Sequence, residues 1–272
     1  MKITQEQLNI LCQIVKDAGA EVMAVYNQPV DVQVKDDMSP LTEADLRADR
    51  VIRQGLEKNF PNFFILSEES SSESSEQKGN DSEEAFFLVD PLDGTKEFLK
   101  RNGEFTVNIA LIHKGKAIAG AVFAPALDEL FFAAADLGVW KTHMGNTQLI
   151  QTASLSQDKL RVVGSRSHGS EQADVWLSNL NREFELMPAG SSLKFCKLAE
   201  GKADIYPRFG PTSQWDTAAA QCVLEIAGGA VVDVHGHSLV YGLDLPILNK
   251  EFIALGTTPQ EFQKVFPQAF YE

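Results

Sequence analysis

Two carboxylates three residues apart, Asp90 and Asp93, stand in the run Asp90-Pro91-Leu92-Asp93-Gly94-Thr95. They follow Ala85-Phe86-Phe87-Leu88-Val89, an apolar run that reads as a buried strand, so both are expected at a strand end. Pro91 interrupts regular strand geometry and fixes the turn. Gly94 lets the backbone come close to a ligand. Converging carboxylates repel one another unless something positive lies between them, and a divalent cation is the usual answer. The same spacing also fits an ordinary acidic strand-to-helix turn with Thr95 as the helix cap. Further acids stand at other element ends: Glu68 and Glu69 after a strand, and Asp216 of Trp215-Asp216-Thr217-Ala218-Ala219 where a helix begins. Without His or Cys among them, hard oxygen ligands favour magnesium or manganese over zinc. Such ions can activate water and neutralise a phosphoryl group during in-line displacement. Gly94-Thr95-Lys96 offers backbone N–H groups at a helix start, a seat for phosphate. Thr95 can also pass a proton between the attacking water and a carboxylate such as Asp45.

The elements that must position these groups follow from periodicity. Thr4 with Gln7 forms a capping-box pattern. Leu8, Leu11, Val15, Ala18, Val22 and Val25 then mark one face of a long helix. Residues 30–34 alternate like a strand, and 36–40 read as a turn. Thr42 is placed to cap a second helix running to about Phe60, with Asp45 in its first turn. Residues 63–66 read as a strand ending at Ser67-Glu68-Glu69. A Ser/Glu-rich tract up to about Glu84 is too polar to pack and reads as a surface loop, with a lid over the site as the alternative. Residues 105–113 and 117–123 read as a hairpin around Lys114-Gly115-Lys116, and 130–135 with 139–142 as another. The polar stretch 153–157 is the expected lobe boundary, dividing the chain into 1–153 and 154–272. In the second part, strand-like runs at 160–164, 184–187, 203–206, 230–232 and 252–255 alternate with helical ones. That order predicts a layered α/β architecture.

Composition narrows the function class. The chain has 272 residues, 44% of them hydrophobic, enough for a sizeable core. Its net charge of -14 makes nucleic acid an unsuitable bulk partner. An anionic ligand would need a local basic patch or a metal. No apolar stretch is long enough to span a bilayer, and no signal-peptide pattern opens the sequence. Cys12, Cys196 and Cys222 fall in helical segments and read as buried free thiols, which points to a reducing cytoplasm.

Taken together, Ser39-Pro40-Leu41-Thr42-Glu43-Ala44-Asp45, Ser67-Glu68-Glu69, the Asp90–Thr95 run and Trp215-Asp216-Thr217-Ala218-Ala219 resemble the inositol monophosphatase superfamily of magnesium-dependent, lithium-sensitive phosphatases. The resemblance covers essentially the whole chain and implies a layered αβαβα sandwich of the sugar-phosphatase type. It implies that Glu68, Asp90, the Leu92 carbonyl, Asp93 and Asp216 hold two or three Mg2+ ions. Mn2+ is the expected substitute, and Li+ and Ca2+ the expected inhibitors. It also implies that Asp45 and Thr95, with Glu68, orient and activate the nucleophilic water. Ser67 departs from the glycine that many relatives carry there.

Within the superfamily the sequence is most similar to bacterial 3'(2'),5'-bisphosphate nucleotidases. The segments that carry this are Asp93-Gly94-Thr95-Lys96-Glu97-Phe98, Gly164-Ser165-Arg166-Ser167-His168, Gly190-Ser191-Ser192-Leu193-Lys194-Phe195 and Tyr206-Pro207-Arg208-Phe209-Gly210-Pro211-Thr212. A substrate with two phosphates needs cationic contacts away from the metals, and Lys194 and Arg208 stand among Ser and Gly residues in an otherwise acidic chain. Ser191, Lys96 and His168 join them as candidate contacts, alongside Asp93, Gly94, Thr95 and Asp216. The implied reaction removes the 3'-phosphate of adenosine 3',5'-bisphosphate, leaving AMP, with the sulfated nucleotide as a second substrate and disposal of a sulfate-assimilation by-product as the role. The alternatives are an inositol or other sugar-phosphate phosphatase and a metal-binding regulatory protein without catalysis. A cytoplasmic monomer is expected, with a homodimer and peripheral association with the inner membrane as variants.

Overall fold

The computed structural model describes residues 1–28, 32–34, 40–70, 84–165 and 171–270. The capping box at Thr4 is formed. Gln7 N–H donates to Thr4 Oγ1 at 3.2 Å, and Thr4 N–H donates to Gln7 Oε1 at 2.9 Å. It opens α1 (Gln5–Tyr26), whose predicted apolar stripe is buried throughout. A short antiparallel pair, β1 (Val32–Val34) and β2 (Pro40–Thr42), leads into α2 (Glu43–Asn59), with Asp45 in its first turn as expected. The turn expected at 36–40 and the Ser/Glu-rich tract at 71–83 lie outside the described residues, apart from Pro40.

A seven-stranded sheet follows in chain order: β3 (Phe64–Ser67), β4 (Ala85–Asp93), β5 (Thr106–His113), β6 (Lys116–Ala124), β7 (Glu129–Ala134), β8 (Gly138–His143) and β9 (Asn146–Leu149). Only β3 and β4 pair in parallel. The hairpin between β5 and β6 closes through Lys114 and Gly115, both at positive φ (51° and 79°), the geometry that a two-residue turn between twisted strands demands. Two findings differ from the sequence reading. β4 does not end at Asp90. It continues to Asp93 across a register shift, and Pro91 sits in that irregular stretch, where its missing N–H is tolerated. β9 was not anticipated, because Asn146-Thr147-Gln148-Leu149 is an exposed edge strand with no apolar alternation.

Beyond it come a second sheet and its helices: β10 (Leu160–Ser165), α4 (Glu171–Asn179), β11 (Phe184–Ala189), α5 (Leu193–Ala199), β12 (Ile205–Arg208), α6 (Gln214–Ile226), β13 (Ala230–Asp233), β14 (Phe252–Leu255) and α7 (Pro259–Val265). The five strands run in the order β11-β10-β12-β14-β13, parallel on one side and antiparallel on the other.

Burial shows how the layers stack. On β4, Phe87 and Val89 face α1 and α2, whereas Phe86 and Leu88 face a core shared with α5, α6 and the second sheet. The outer face of that second sheet is covered by α4 and α7 through Trp176, Leu177, Phe262 and Phe266. The order is therefore helix, sheet, helix, sheet, helix, the αβαβα sandwich that the resemblance implied. Strands covered on both faces read as continuous apolar runs, which is why they were legible. The central helix α6 packs so closely on β6 that a Cβ at Gly120 would lie 2.5 Å from the Ala219 carbonyl oxygen.

The three cysteines are free and buried, and burial pushes their thiols up, Cys12 to about 12. Among the described residues, no helix is long and apolar enough to cross a membrane.

Candidate active site

The irregular end of β4 turns Asp90 and Asp93 into the wall of a cavity of about 790 Å³. Glu68 reaches it from the one-turn 3-10 helix Glu68–Ser70 that follows β3, and Asp216 from the first turn of α6. Lys194 and Arg208 line the same cavity from α5 and the end of β12. Gly94, Thr95, Lys96 and Ser191 lie along its wall. Gly94 has φ 92°, so only glycine holds this turn without strain, and α3 (Thr95–Leu99) starts directly after it. Thr95 therefore opens α3 as a lining residue and Gly94 stands at the cap, with no side-chain cap bond.

Each of the three aspartates is held by one oxygen. Asp90 Oδ1 accepts the Leu92 N–H at 3.1 Å. Asp93 Oδ2 accepts three donors: Ser191 Oγ at 2.6 Å, Ser192 N–H at 2.7 Å and Ser192 Oγ at 3.0 Å. Asp216 Oδ2 accepts the Ser213 N–H at 2.8 Å. The Leu92 carbonyl accepts from Thr95 Oγ1 at 3.5 Å. Ser67, where glycine was the family expectation, donates to Asp49 Oδ1 at 2.5 Å, and Asp49 in turn pairs with Arg53. The substitution fastens the end of β3 to α2 and leaves Glu68 in the cavity wall.

The electrostatics mark a place for a cation. Asp90 is 1 % exposed, and burial pushes its carboxyl well above the usual range, reinforced by Glu68, Asp93, Asp216 and Asp45. Asp216 is raised to about 8, first by burial and then by Asp93. Five acids thus act on one small volume, and Arg208 offsets only part of the effect on Asp216. Among the described residues, no three acidic, His or Cys side chains close to the spacing that one ion would impose. The oxygen-only donor set is the chemistry that suits a hard divalent ion.

The same cavity also carries positive charge. Lys194 is 8 % exposed, its Nζ lies 5.4 Å from the Tyr206 ring centre, and no carboxylate pairs with it among the described residues. Burial lowers its pKa. Arg208 gives one N–H to the Pro211 carbonyl at 3.0 Å, and its Nε is buried without a partner among the described residues. The structure thus brings Glu68, Asp90, Asp93, Asp216, Lys194 and Arg208 into one cavity, while Asp45, buried on α2, does not line it and acts on Asp90 through its charge. Ser191 is turned onto Asp93. His168 lies outside the described residues.

The protein-family comparison matches residues 4–265 to the inositol monophosphatase family. The chain belongs to that family. The 3'(2'),5'-bisphosphate nucleotidase CysQ of Shigella flexneri is 44% identical over 247 residues, covering 90% of this chain and 98% of that protein. CysQ of Haemophilus influenzae is 31% identical and covers 98% of both. Among solved structures, CysQ from Bacteroides thetaiotaomicron superposes with a TM-score of 0.78 at 33% identity, over 92% of this chain and 97% of that one. The family resemblance read from the motifs is therefore borne out over the length of the chain.

Sequence reasoning missed several residues of this inositol monophosphatase-family site. Ser192 was quoted only as part of a motif, yet it gives Asp93 two hydrogen bonds. Asn249 was not singled out, yet its side-chain amide donates to Thr212 Oγ1, the Ser213 carbonyl and Thr217 Oγ1, which fixes the start of α6 around Asp216. Nothing local in the sequence marks Asn249, because all three partners lie more than thirty residues away.

Proposed function

We propose that this chain is a magnesium-dependent 3'(2'),5'-bisphosphate nucleotidase that hydrolyses the 3'-phosphate of adenosine 3',5'-bisphosphate to AMP and phosphate. The sulfated nucleotide is a second substrate. The observation that carries the reading is the mixed lining of one cavity: four carboxylates together with a buried ammonium and a guanidinium. A monophosphate would need only the carboxylates and the metals they hold. A bisphosphate would use the basic pair as well.

Glu68, Asp90, Asp93, Asp216 and the Leu92 carbonyl would hold the magnesium, two or three ions in all, with Mn2+ as substitute and Li+ and Ca2+ as inhibitors. When bound, magnesium supplies charge neutralisation for the phosphoryl oxygens and a more acidic water. Asp45 and Thr95 orient that water, and Asp45 accepts its proton. Gly94, Thr95 and Lys96 seat the departing phosphate. Lys194 and Arg208 take the other phosphate, with His168 as a further contact. Ser191 contributes through Asp93. Residues 1–153 form one lobe with most metal ligands and 154–272 the other with Asp216 and the basic pair, together one catalytic unit. The protein acts as a cytoplasmic monomer in disposal of a sulfate-assimilation by-product, a setting that its buried free thiols suit.

The test is phosphate release with magnesium from adenosine 3',5'-bisphosphate, inositol 1-phosphate and fructose 1,6-bisphosphate at equal concentration. The nucleotide should be the best substrate by kcat/KM. Preference for inositol 1-phosphate would overturn the reading, and no release from any of the three would indicate a non-catalytic metal-binding protein.

A further inference from the structure

Thr106 and Asn108 lie on β5 behind the cavity and do not line it. They are 0 % and 1 % exposed. Residues 106, 108, 110 and 112 leave the same face of the sheet, and Ala110 and Ile112 on that face belong to the core shared with α6. Polar side chains buried in such a place are destabilising unless they are hydrogen-bonded. Thr106 Oγ1 and Asn108 Nδ2 are bonded, and both lead to Asp93, whereas Asn108 Oδ1 has no partner among the described residues. Thr106 Oγ1 is 2.6 Å from Ser191 Oγ, and Asn108 Nδ2 donates to Ser192 Oγ at 3.1 Å.

The direction of the first chain follows from proton counting. An ionised carboxylate only accepts, so Ser191 gives its single proton to Asp93 Oδ2 at 2.6 Å. Thr106 must then give its own proton to Ser191. Hydrogen bonds in series strengthen one another, so the remote hydroxyl tightens the bond to Asp93. Ser191 also holds φ 51°, the left-handed region, although it is not glycine. Such a conformation persists where the surroundings over-determine it. The Ser192 proton has two acceptors, Asp93 Oδ2 at 3.0 Å and the Asp216 carbonyl at 2.9 Å, so this serine ties the two acidic segments together.

We infer that Thr106 is a positioning residue for the reaction. Acting through Ser191, it fixes Oδ2 of Asp93 and thereby sets the aim of Oδ1 into the cavity. The inference rests on the phosphatase reading above, but not on which phosphate ester is cleaved.

Thr106→Val tests it. Valine keeps the β-branched shape that a buried strand favours. Its methyl needs roughly 3.3–3.6 Å from an oxygen, where the hydroxyl sits at 2.6 Å. Ser191 must therefore shift by somewhat under about 1 Å or rotate away from Asp93. A displacement of that size near reacting groups lowers turnover by up to about a hundredfold. The expected result is a kcat loss of at least about tenfold with KM changed much less, and weaker Mn2+ binding when metal-free protein is titrated and free Mn2+ is followed by electron paramagnetic resonance. Thr106→Ser, which keeps the hydroxyl, should restore both. Should Thr106→Val fail to fold, Ser191→Ala takes its place and must show the same loss of Mn2+ affinity. Wild-type kcat and Mn2+ affinity in Thr106→Val, or an equal loss in Thr106→Ser, overturns the inference. The Mn2+ titration needs no substrate, so the inference can fail while wild type still cleaves the bisphosphate. It can also survive if wild type prefers another ester.

Discussion

Lys194 is the sharpest place to perturb this molecule, because its two effects should have opposite signs. Its ammonium group is almost out of water, rests against the Tyr206 ring and has no carboxylate partner among the described residues. Burial lowers its pKa, Asp93 opposes that effect, and nearby Arg208 adds to it. A cation held this way is a burden on the empty protein and an asset once a phosphate arrives. Lys194→Met keeps a long unbranched stem and removes the charge. A charge-assisted hydrogen bond contributes about 1.5–3 kcal/mol, so kcat/KM for adenosine 3',5'-bisphosphate should fall by roughly ten- to a hundredfold. Inositol 1-phosphate has no second phosphate, and its kcat/KM should change much less. Replacing buried charge by a well-packed apolar group is often neutral or stabilising by roughly 1–4 kcal/mol. At about 2–4 °C per kcal/mol for a chain near this size, Tm should hold or rise by several degrees. Arg208→Ala is a coarser probe, since it also releases the bond to the Pro211 carbonyl. The assay pairs phosphate release on both substrates with calorimetry. Equal losses on both substrates together with a lower Tm would show that Lys194 supports the fold and does not recognise a phosphate.

Three further outcomes follow from the same geometry. Asp93→Asn should fold normally and lose about a hundredfold or more in kcat, because the amide oxygen satisfies the three donors on one side and the NH2 group is left facing the metals; near-normal turnover with unchanged magnesium dependence would rule out Asp93 as a ligand. Thr95→Ala and Asp45→Asn should each lower kcat more than they raise KM, and the double variant should lose less than the product of the two if they act on the same water; fully multiplicative losses would separate their roles. Metal-free protein should lose stability as pH rises, since Asp90 and Asp216 hold protons in the folded state that the unfolded chain releases. For Asp216 the window runs from 3.8 to about 8. A hundredfold excess of magnesium over its Kd contributes about 2.7 kcal/mol, so the Tm gain on adding magnesium should be several degrees near pH 8 and smaller near pH 5.5; calorimetry showing an equal or larger gain at the lower pH would contradict the assignment.

What the sequence made legible was whatever is written locally. The strands that were easiest to read are covered on both faces, so Phe86-Phe87-Leu88-Val89 and Phe252-Ile253-Ala254-Leu255 announce themselves as apolar runs. The metal-ligand candidates were legible because Pro91, Gly94 and the start of α6 punctuate the chain beside them. The edge strand β9 was missed because an exposed strand needs no apolar pattern, and the continuation of β4 was missed because a proline normally ends one. The deeper omission was the support behind the acids. Asp93 is held by Ser191 and Ser192, 98 and 99 residues along the chain. Those serines meet Thr106 and Asn108 across gaps of 85 and 84 residues. Two polar residues with period two inside a strand otherwise made of Val, Ile, Ala and Leu up to its terminal His113 were a visible signal, since a doubly covered strand has no solvent face on which to place them. Their partner can be identified only once α5 is folded against the end of the first sheet. The chemistry of this site is thus encoded in short motifs, while its rigidity depends on contacts between the two halves of the chain. Substitutions in β5, away from every motif, should therefore reach the acidic residues of the cavity first.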